Sequence, residues 1–207
     1  MIDIFNMENK LDLTNITCHS GGATGADFFF FETIGSNYGV KTRAYSYKTK
    51  YHTTENKVEI SDEDYEEGVI EITKANKILK RFGIHRFMNL LARNWAQVKY
   101  SEEVFAIGTI VEPGKKGSKG FYNKSDFQVV DGGTGYACMC AVNNSRPLYV
   151  FDQDKDKWFR WSYTALKFIE LKGTPVITTE NFAGIGTREI KPNGILAIEE
   201  VYKLTFN

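Results

Sequence analysis

Three glycine-rich turns constrain this chain more than any other feature: SGGATGAD at 20–27, DGGTGYA at 131–137 and AGIGTRE at 183–189. Each follows a run that reads as extended and precedes a run that reads as helical. A strand, turn and helix repeated in this way predicts an α/β fold, an open, mostly parallel sheet with helices on both faces. In such sheets the turns gather at the carboxyl ends of the strands.

The intervening chain is read by periodicity. Ile16 to His19 reads as a strand, followed by a helical segment through Ala26, Phe29, Phe30 and Ile34 that Gly35 and Gly39 close. Val40 to Tyr47 resembles a second strand. Polar residues Thr49 to Glu67 read as a loop running into a helix over Asp64 to Lys80. A helix is predicted over Ile84 to Tyr100, because Phe87, Leu90, Leu91, Trp95 and Val98 recur at helical intervals. The nearly continuous apolar run Val104 to Val111 reads as a buried strand. Glu112 to Asp126 is a lysine- and glycine-rich loop, Phe127 to Val130 is extended, and Met139, Ala141 and Val142 mark the helix after the second turn. Beyond the short strand Leu148 to Phe151 and the charged turn Asp152 to Lys157, Trp158 to Leu171 reads as helical. Pro175 to Thr179 and Phe182 read as extended, and a last helix runs to about Lys203.

Length and composition bound the function. At 207 residues and 42% hydrophobic content, one domain spanning 1–207 is expected. The 26 basic and 26 acidic residues cancel, so no global field holds a nucleic acid, and a small charged ligand fits better. Three cysteines cannot form a disulfide framework, which suits a reducing cytoplasm. Apolar runs such as Phe28 to Phe31 fall far short of the roughly 20 residues a bilayer requires, so no membrane partner is expected.

The turns carry the candidate chemistry. Their glycines let backbone N–H groups approach an anion, and the helix that follows each turn presents its positive end to the same point. The candidate phosphate and ligand residues are Ser20, Gly21, Gly22, Ala23, Thr24, Gly25 and Asp27 in the first turn, and Gly132, Gly133, Thr134, Gly135 and Tyr136 in the second. The third turn adds Gly184, Gly186, Thr187 and Arg188. Ser20 and Thr24 can donate hydroxyls, whereas Asp27 reads as a helix cap or a brace of the loop backbone. Arg93 and Arg188 can pair a phosphate bidentately, or form surface ion pairs. Asn94 and Gln97 can meet ribose or base edges, Trp95 reads as packing, and Tyr136 reads equally as a ribose cover or as core. Lys115, Lys116, Lys119 and Lys124 offer a basic lid or a solvated loop. No metal is expected: Cys138 and Cys140 lie one residue apart on a helix, Cys18 with His19 has no second pair at zinc spacing, and His52 and His85 are isolated. Trp158 and Trp161 read as core or as a subunit contact on one helix.

SGGATGAD, LLARNWAQV, VFAIGTIV, GGTGYACMCA and AGIGTREI together resemble the SLOG superfamily, the Rossmann-like group of YpsA-type proteins, LOG-type phosphoribohydrolases and DNA-processing protein A. Related phage and bacterial proteins place the AGIGSRE-like element first. Here it comes last, so the order reads as circularly permuted, with Asp152 to Thr174 as the added connection and Met1 close to Asn207. The resemblance implies a nucleotide-derived ligand such as ADP-ribose, NAD or cyclic ADP-ribose, held by a sensor, carrier or sequestering protein, with homo-oligomers common and no further cofactor required. LOG-type enzymes also carry an Arg-Lys pair and PGGxGTxxE for N-glycosidic cleavage. This chain keeps Arg93 but has Asn94 for the lysine and Cys138 at the glutamate position. A phosphoribohydrolase is therefore the alternative, with Glu189, otherwise a helix N-terminal acid, or Glu112 as the substitute carboxylate.

Overall fold

The computed structural model describes residues 15–48 and 56–207. The first turn is preceded by β1 (Thr17–Ser20) and followed by a short α1 (Ala26–Phe28) that continues as a π-helical turn, Phe29–Ile34, and a 3-10 turn, Gly35–Tyr38. Then come β2 (Lys41–Ser46), β3 (Lys57–Glu59), α2 (Asp62–Leu79), α3 (Met88–Lys99), β4 (Glu103–Gly108) and β5 (Ile110–Val111). The second half of the chain supplies β6 (Val129–Val130), α4 (Thr134–Asn143), β7 (Leu148–Asp152), β8 (Lys157–Ser162), β9 (Lys167–Glu170), β10 (Asn181–Gly186) and α5 (Pro192–Phe206).

Eight strands form one sheet in the order β3-β2-β1-β10-β4-β7-β8-β9. The first six are mutually parallel, β8 adds antiparallel to β7, and β9 adds antiparallel to β8. This is the expected Rossmann-like open α/β sheet. The last strand of the chain, β10, is inserted between β1 and β4 at the centre, with Cys18 opposite Phe182 on one side and Phe105 opposite Gly184 on the other. Met1 lies outside the described residues. At the edge where β1 begins, Thr17 N–H donates to Glu180 O, and Ile177 N–H donates to Thr205 Oγ1 near the end of α5.

Strand β4 shows how the sheet divides the core. All six of its residues are buried, and their period of two sends Val104 and Ala106 to one face and Phe105 and Ile107 to the other. The first face is covered by α2, α3 and α4, the second by Phe30, Ile34 and the α5 residues Ile198, Val201 and Tyr202. Gly184 lies at the middle of this second face. A Cβ there would stand 2.6 Å from the Phe30 ring, so the missing side chain is what lets the Phe29–Ile34 turn settle on β10. Helix α2 starts at Asp62 because the Ser61 side chain accepts Asp64 N–H and three acids fill the first turn.

Trp158 to Leu171 is not helical but an antiparallel hairpin, β8 and β9. The three-residue spacing of Trp158 and Trp161 mimics one helix face. On a strand it places the two indoles on opposite faces, Trp158 with the α5 core and Trp161 with the α4 core, while Arg160 stays exposed. Ser162 Oγ accepts Ala165 N–H to close the turn, and Leu166 takes a positive φ of 51°. The segment 152–174 thus widens the sheet rather than merely connecting its parts. Strand β3 was hidden in the stretch read as loop. Pro175 to Thr179 forms no strand and is pinned by Glu103, which is 1% exposed. Glu103 Oε1 accepts the N–H groups of Thr178 and Thr179 at 2.6 and 3.0 Å and the Thr179 hydroxyl at 3.0 Å, and Oε2 accepts the Thr178 hydroxyl at 3.1 Å. Among the described residues no helix is long and apolar enough to cross a membrane.

Glu103→Ala strands two backbone donors and is expected to cost about 2–4 kcal/mol, read as a lowered denaturant midpoint at unchanged slope. Glu103→Gln should recover part of the loss, because one amide oxygen still accepts.

Candidate functional site

A cleft of about 360 Å³ opens at the carboxyl edge of β1, β10, β4 and β7. It lies where strands diverge on either side of β10, the position at which open α/β sheets hold ligands. All three glycine turns contribute: Ala23 and Asp27 from the first, Gly132, Gly133 and Thr134 from the second, and Gly186, Thr187, Arg188 and Glu189 from the third. Helix α3 adds Leu90, Leu91, Arg93, Asn94 and Gln97.

Several of the predicted residues shape the cleft from behind. Gly25, at φ +97°, lies so close to the third turn that a Cβ would meet Thr187 O at 2.4 Å and Arg188 Cα at 2.5 Å. Ala26 N–H donates to Thr187 O at 3.0 Å across the same contact. A Cβ on Gly21 would fall 2.4 Å from both Arg93 Nη1 and Asp27 Oδ2, and Ser20 is buried with its hydroxyl on Asp27 O. Gly22 and Thr24 do not line the cleft. Gly135 is packed on Val130 O and Arg81, and Gly184 on the opposite core face. Tyr136 turns inward: it is 4% exposed, donates to Asn76 Oδ1 at 2.9 Å and lies against Arg81, which is the core placement of the two that its position allowed.

Arg93 is buried and braces the first turn. Its Nη1 donates to Gly21 O at 2.5 Å and Tyr45 O at 3.0 Å. Beside it the Asp27 carboxyl accepts Gly186 N–H at 2.9 Å through Oδ1, so it ties the first turn to the third instead of capping its own helix. Burial pushes this carboxyl up to about 6, against the opposing pull of Arg93, the N–H groups of Gly186 and Ala23, and Arg188. Arg188 itself is exposed and forms no ion pair among the described residues. At the start of α4 the N–H groups of Gly133 and Thr134 have no protein acceptor among the described residues, while Gly135 and Tyr136 N–H turn back to Gly132 O and Gly133 O.

Other cleft residues escaped the sequence reading. Asp131 accepts Gly132 N–H and the Ser118 hydroxyl, and Gln153 accepts Lys191 N–H at 2.6 Å while donating to Glu189 O. Asp154 holds Lys191 and the Thr109 hydroxyl. The usable signal was position: Asp131 directly follows β6, and Gln153 directly follows β7. Of the four lysines in the 112–126 loop, Lys119 alone lines the cleft, and it pairs with Glu189. Lys116 lies over Tyr122 and Lys124 over Phe82. Glu112 accepts Gln128 Nε2 and does not line the cleft. Trp95 donates to Glu67 and packs on the core.

Cys18, Cys138 and Cys140 are buried, and burial pushes the Cys18 and Cys138 thiols up to about 12. They are packing groups. His19 stacks on Tyr45 with Nδ1 2.8 Å from its hydroxyl, and its imidazole is held below the usual range by burial. His85 is exposed, and His52 lies outside the described residues. Among the described residues no three His, Cys, Asp or Glu side chains cluster to hold a metal ion. Comparison of the chain with family models, curated proteins and solved structures finds no match.

The raised Asp27 carboxyl sets a pH dependence. The folded protein keeps this proton up to about pH 6, whereas the unfolded chain releases it near the ordinary 3.8. Stability from this group is therefore fully present below about pH 4 and falls as pH climbs to about 6, by on the order of 3 kcal/mol. Asp27→Asn keeps an acceptor for Gly186 N–H and removes that decline. The difference between the two proteins in urea midpoint, followed from pH 4 to pH 7, reads it directly.

Proposed function

We propose that the protein binds a nucleotide or nucleotide-derived molecule carrying ribose and phosphate, in the class of ADP-ribose, NAD and cyclic ADP-ribose, as a sensor, carrier or sequestering protein. One observation carries the reading: two N–H groups at the start of α4 and the guanidinium of Arg188, all without a hydrogen-bond or ion-pair partner among the described residues, line one cleft at the switch point of the sheet. Backbone donors at a helix start and a guanidinium fork both suit phosphate oxygens. The apolar wall of Leu90, Leu91, Ala137 and Ile185 offers a surface for a base. The SLOG resemblance supports the same ligand class. The central place of the chain-last strand β10 fits the permuted order, because starting the chain at β10 restores a doubly wound succession on both sides of it. The same resemblance supports a homo-oligomer, readable by light scattering.

Calorimetry against AMP, ADP-ribose, NAD and cyclic ADP-ribose tests the reading. Binding of at least one is expected, and Arg188→Ala should weaken it about ten- to a hundredfold by removing a charged hydrogen-bond donor. Failure to bind any of the four would overturn it.

A second reading, N-glycosidic hydrolysis, rests on a different observation. Asp27 is a cleft carboxyl that is both buried and raised to about 6, whereas Glu189 is exposed and occupied by Lys119. Asp27, rather than Glu189, is then the group to serve an oxocarbenium-like centre and a water proton. Release of free base from AMP, abolished in Asp27→Asn with binding retained, is the expected result for that reading.

A further inference from the structure

Residues 112–126 form a finger over the cleft. Its stem is built: Asn123 Nδ2 donates to Val111 O and Phe127 O, Gly114 N–H to Asn123 O, and Asn123 N–H to Lys115 O. Its tip is narrow, with Gly117 N–H on Phe121 O and Gly120 at φ +80°. The tip touches two of the glycine turns. On the second, the Ser118 hydroxyl and Lys119 N–H donate to Asp131 Oδ2 at 2.8 and 3.3 Å, and a Cβ on Gly117 would stand 2.4 Å from the same carboxylate. On the third, Lys119 Nζ pairs with the Glu189 carboxylate.

The charges in the cleft are matched. Arg93, Lys119, Arg188 and Lys191 face Asp27, Asp131, Asp154 and Glu189. Arg93 is committed to two carbonyls, and Lys191 to Asp154, whose carboxylate the Thr109 hydroxyl also holds. That leaves Arg188 as the unpaired cation among these four, one positive charge for a phosphate monoester that carries nearly two. Lys119 is the cation most easily released to supply the second. The Glu189 carboxylate has no hydrogen-bond donor besides Lys119 among the described residues, and the pair is 47% and 70% exposed, a setting in which ion pairs contribute little to stability.

We propose that Lys119 is a phosphate-binding residue and that Glu189 is its resting counter-ion, which an incoming phosphate monoester displaces. Glu189 then opposes ligand binding, and the finger tip closes over the bound phosphate through Lys119. The inference rests on the nucleotide reading above and names the part of the ligand that this edge of the cleft recognises.

The test is calorimetry with AMP as the monoester and adenosine as the uncharged control, on the full chain and three variants. Glu189→Gln should tighten AMP about two- to fivefold and leave adenosine unchanged, with the gain shrinking as salt rises. Lys119→Ala should weaken AMP, and in the double variant Glu189→Gln should lose its effect. Amide exchange at 117–121 without ligand should quicken in Glu189→Gln, reading the tip contact independently of binding. Weaker AMP binding by Glu189→Gln, or an unchanged gain in the double variant, overturns the proposal while the nucleotide reading stands. Absence of binding by every protein overturns both.

Discussion

The cleft depends on one backbone-to-backbone contact, the first glycine turn pressed against the third. Gly25 lies where no side chain fits, Ala26 N–H reaches Thr187 O, and Gly186 N–H reaches the Asp27 carboxylate. The two turns come from opposite ends of the chain and meet because β1 and β10 are parallel neighbours in the sheet. The contact brings Arg188 and the open end of α4 to one cavity, so a Cβ at Gly25 would disturb the site as well as the packing.

Asp27 and Arg93 show what it takes to hold charge under such a contact. Arg93 satisfies two carbonyls of the surrounding backbone, and Asp27 satisfies the amide of a neighbouring strand end. Neither is freely solvated, and the carboxyl answers by holding its proton well above the ordinary range. The rim behaves differently. Lys119 with Glu189 is an exposed pair in which the carboxylate has no other donor among the described residues, whereas Asp154 holds both Lys191 and the Thr109 hydroxyl. The floor of the cleft is thus buried and its charges are held by the backbone, while the charges of its rim are exposed to solvent.

Some of this was legible because its signal is local. Glycine turns are visible in a few residues, and the nearly continuous apolar run through β4 reports burial directly; of the apolar residues spaced along Ile84 to Tyr100, Leu91 and Val98 are buried and Trp95 packs on the core, whereas Phe87 and Leu90 are exposed. The hairpin of β8 and β9 was misread for the same reason: a three-residue aromatic spacing fits one helix face or two strand faces, and only the neighbouring β7 decides between them. The site residues divide along a similar line. Gly21, Gly25, Gly135 and Gly184 stand out in the sequence as turn glycines, and the tertiary reason for each is packing: a Cβ would meet Arg93, Thr187, Val130 and Phe30 respectively. For Tyr136 the sequence leaves a ribose cover and core packing equally open, and helix α4 sends its ring into the core.

By itself, then, the sequence determined the three turns, the alternation of strand and helix, and the mostly parallel sheet that follows from it, because each arises from conformational preference and hydrophobic period within about a dozen residues. Tertiary structure alone decided that β10 stands between β1 and β4, that Asp27 clasps the third turn, and that Lys119 on a distant finger meets Glu189. The last two join residues 159 and 70 positions apart. Which such groups meet is set by how the whole sheet buries its two faces, and no local stretch of sequence carries that information.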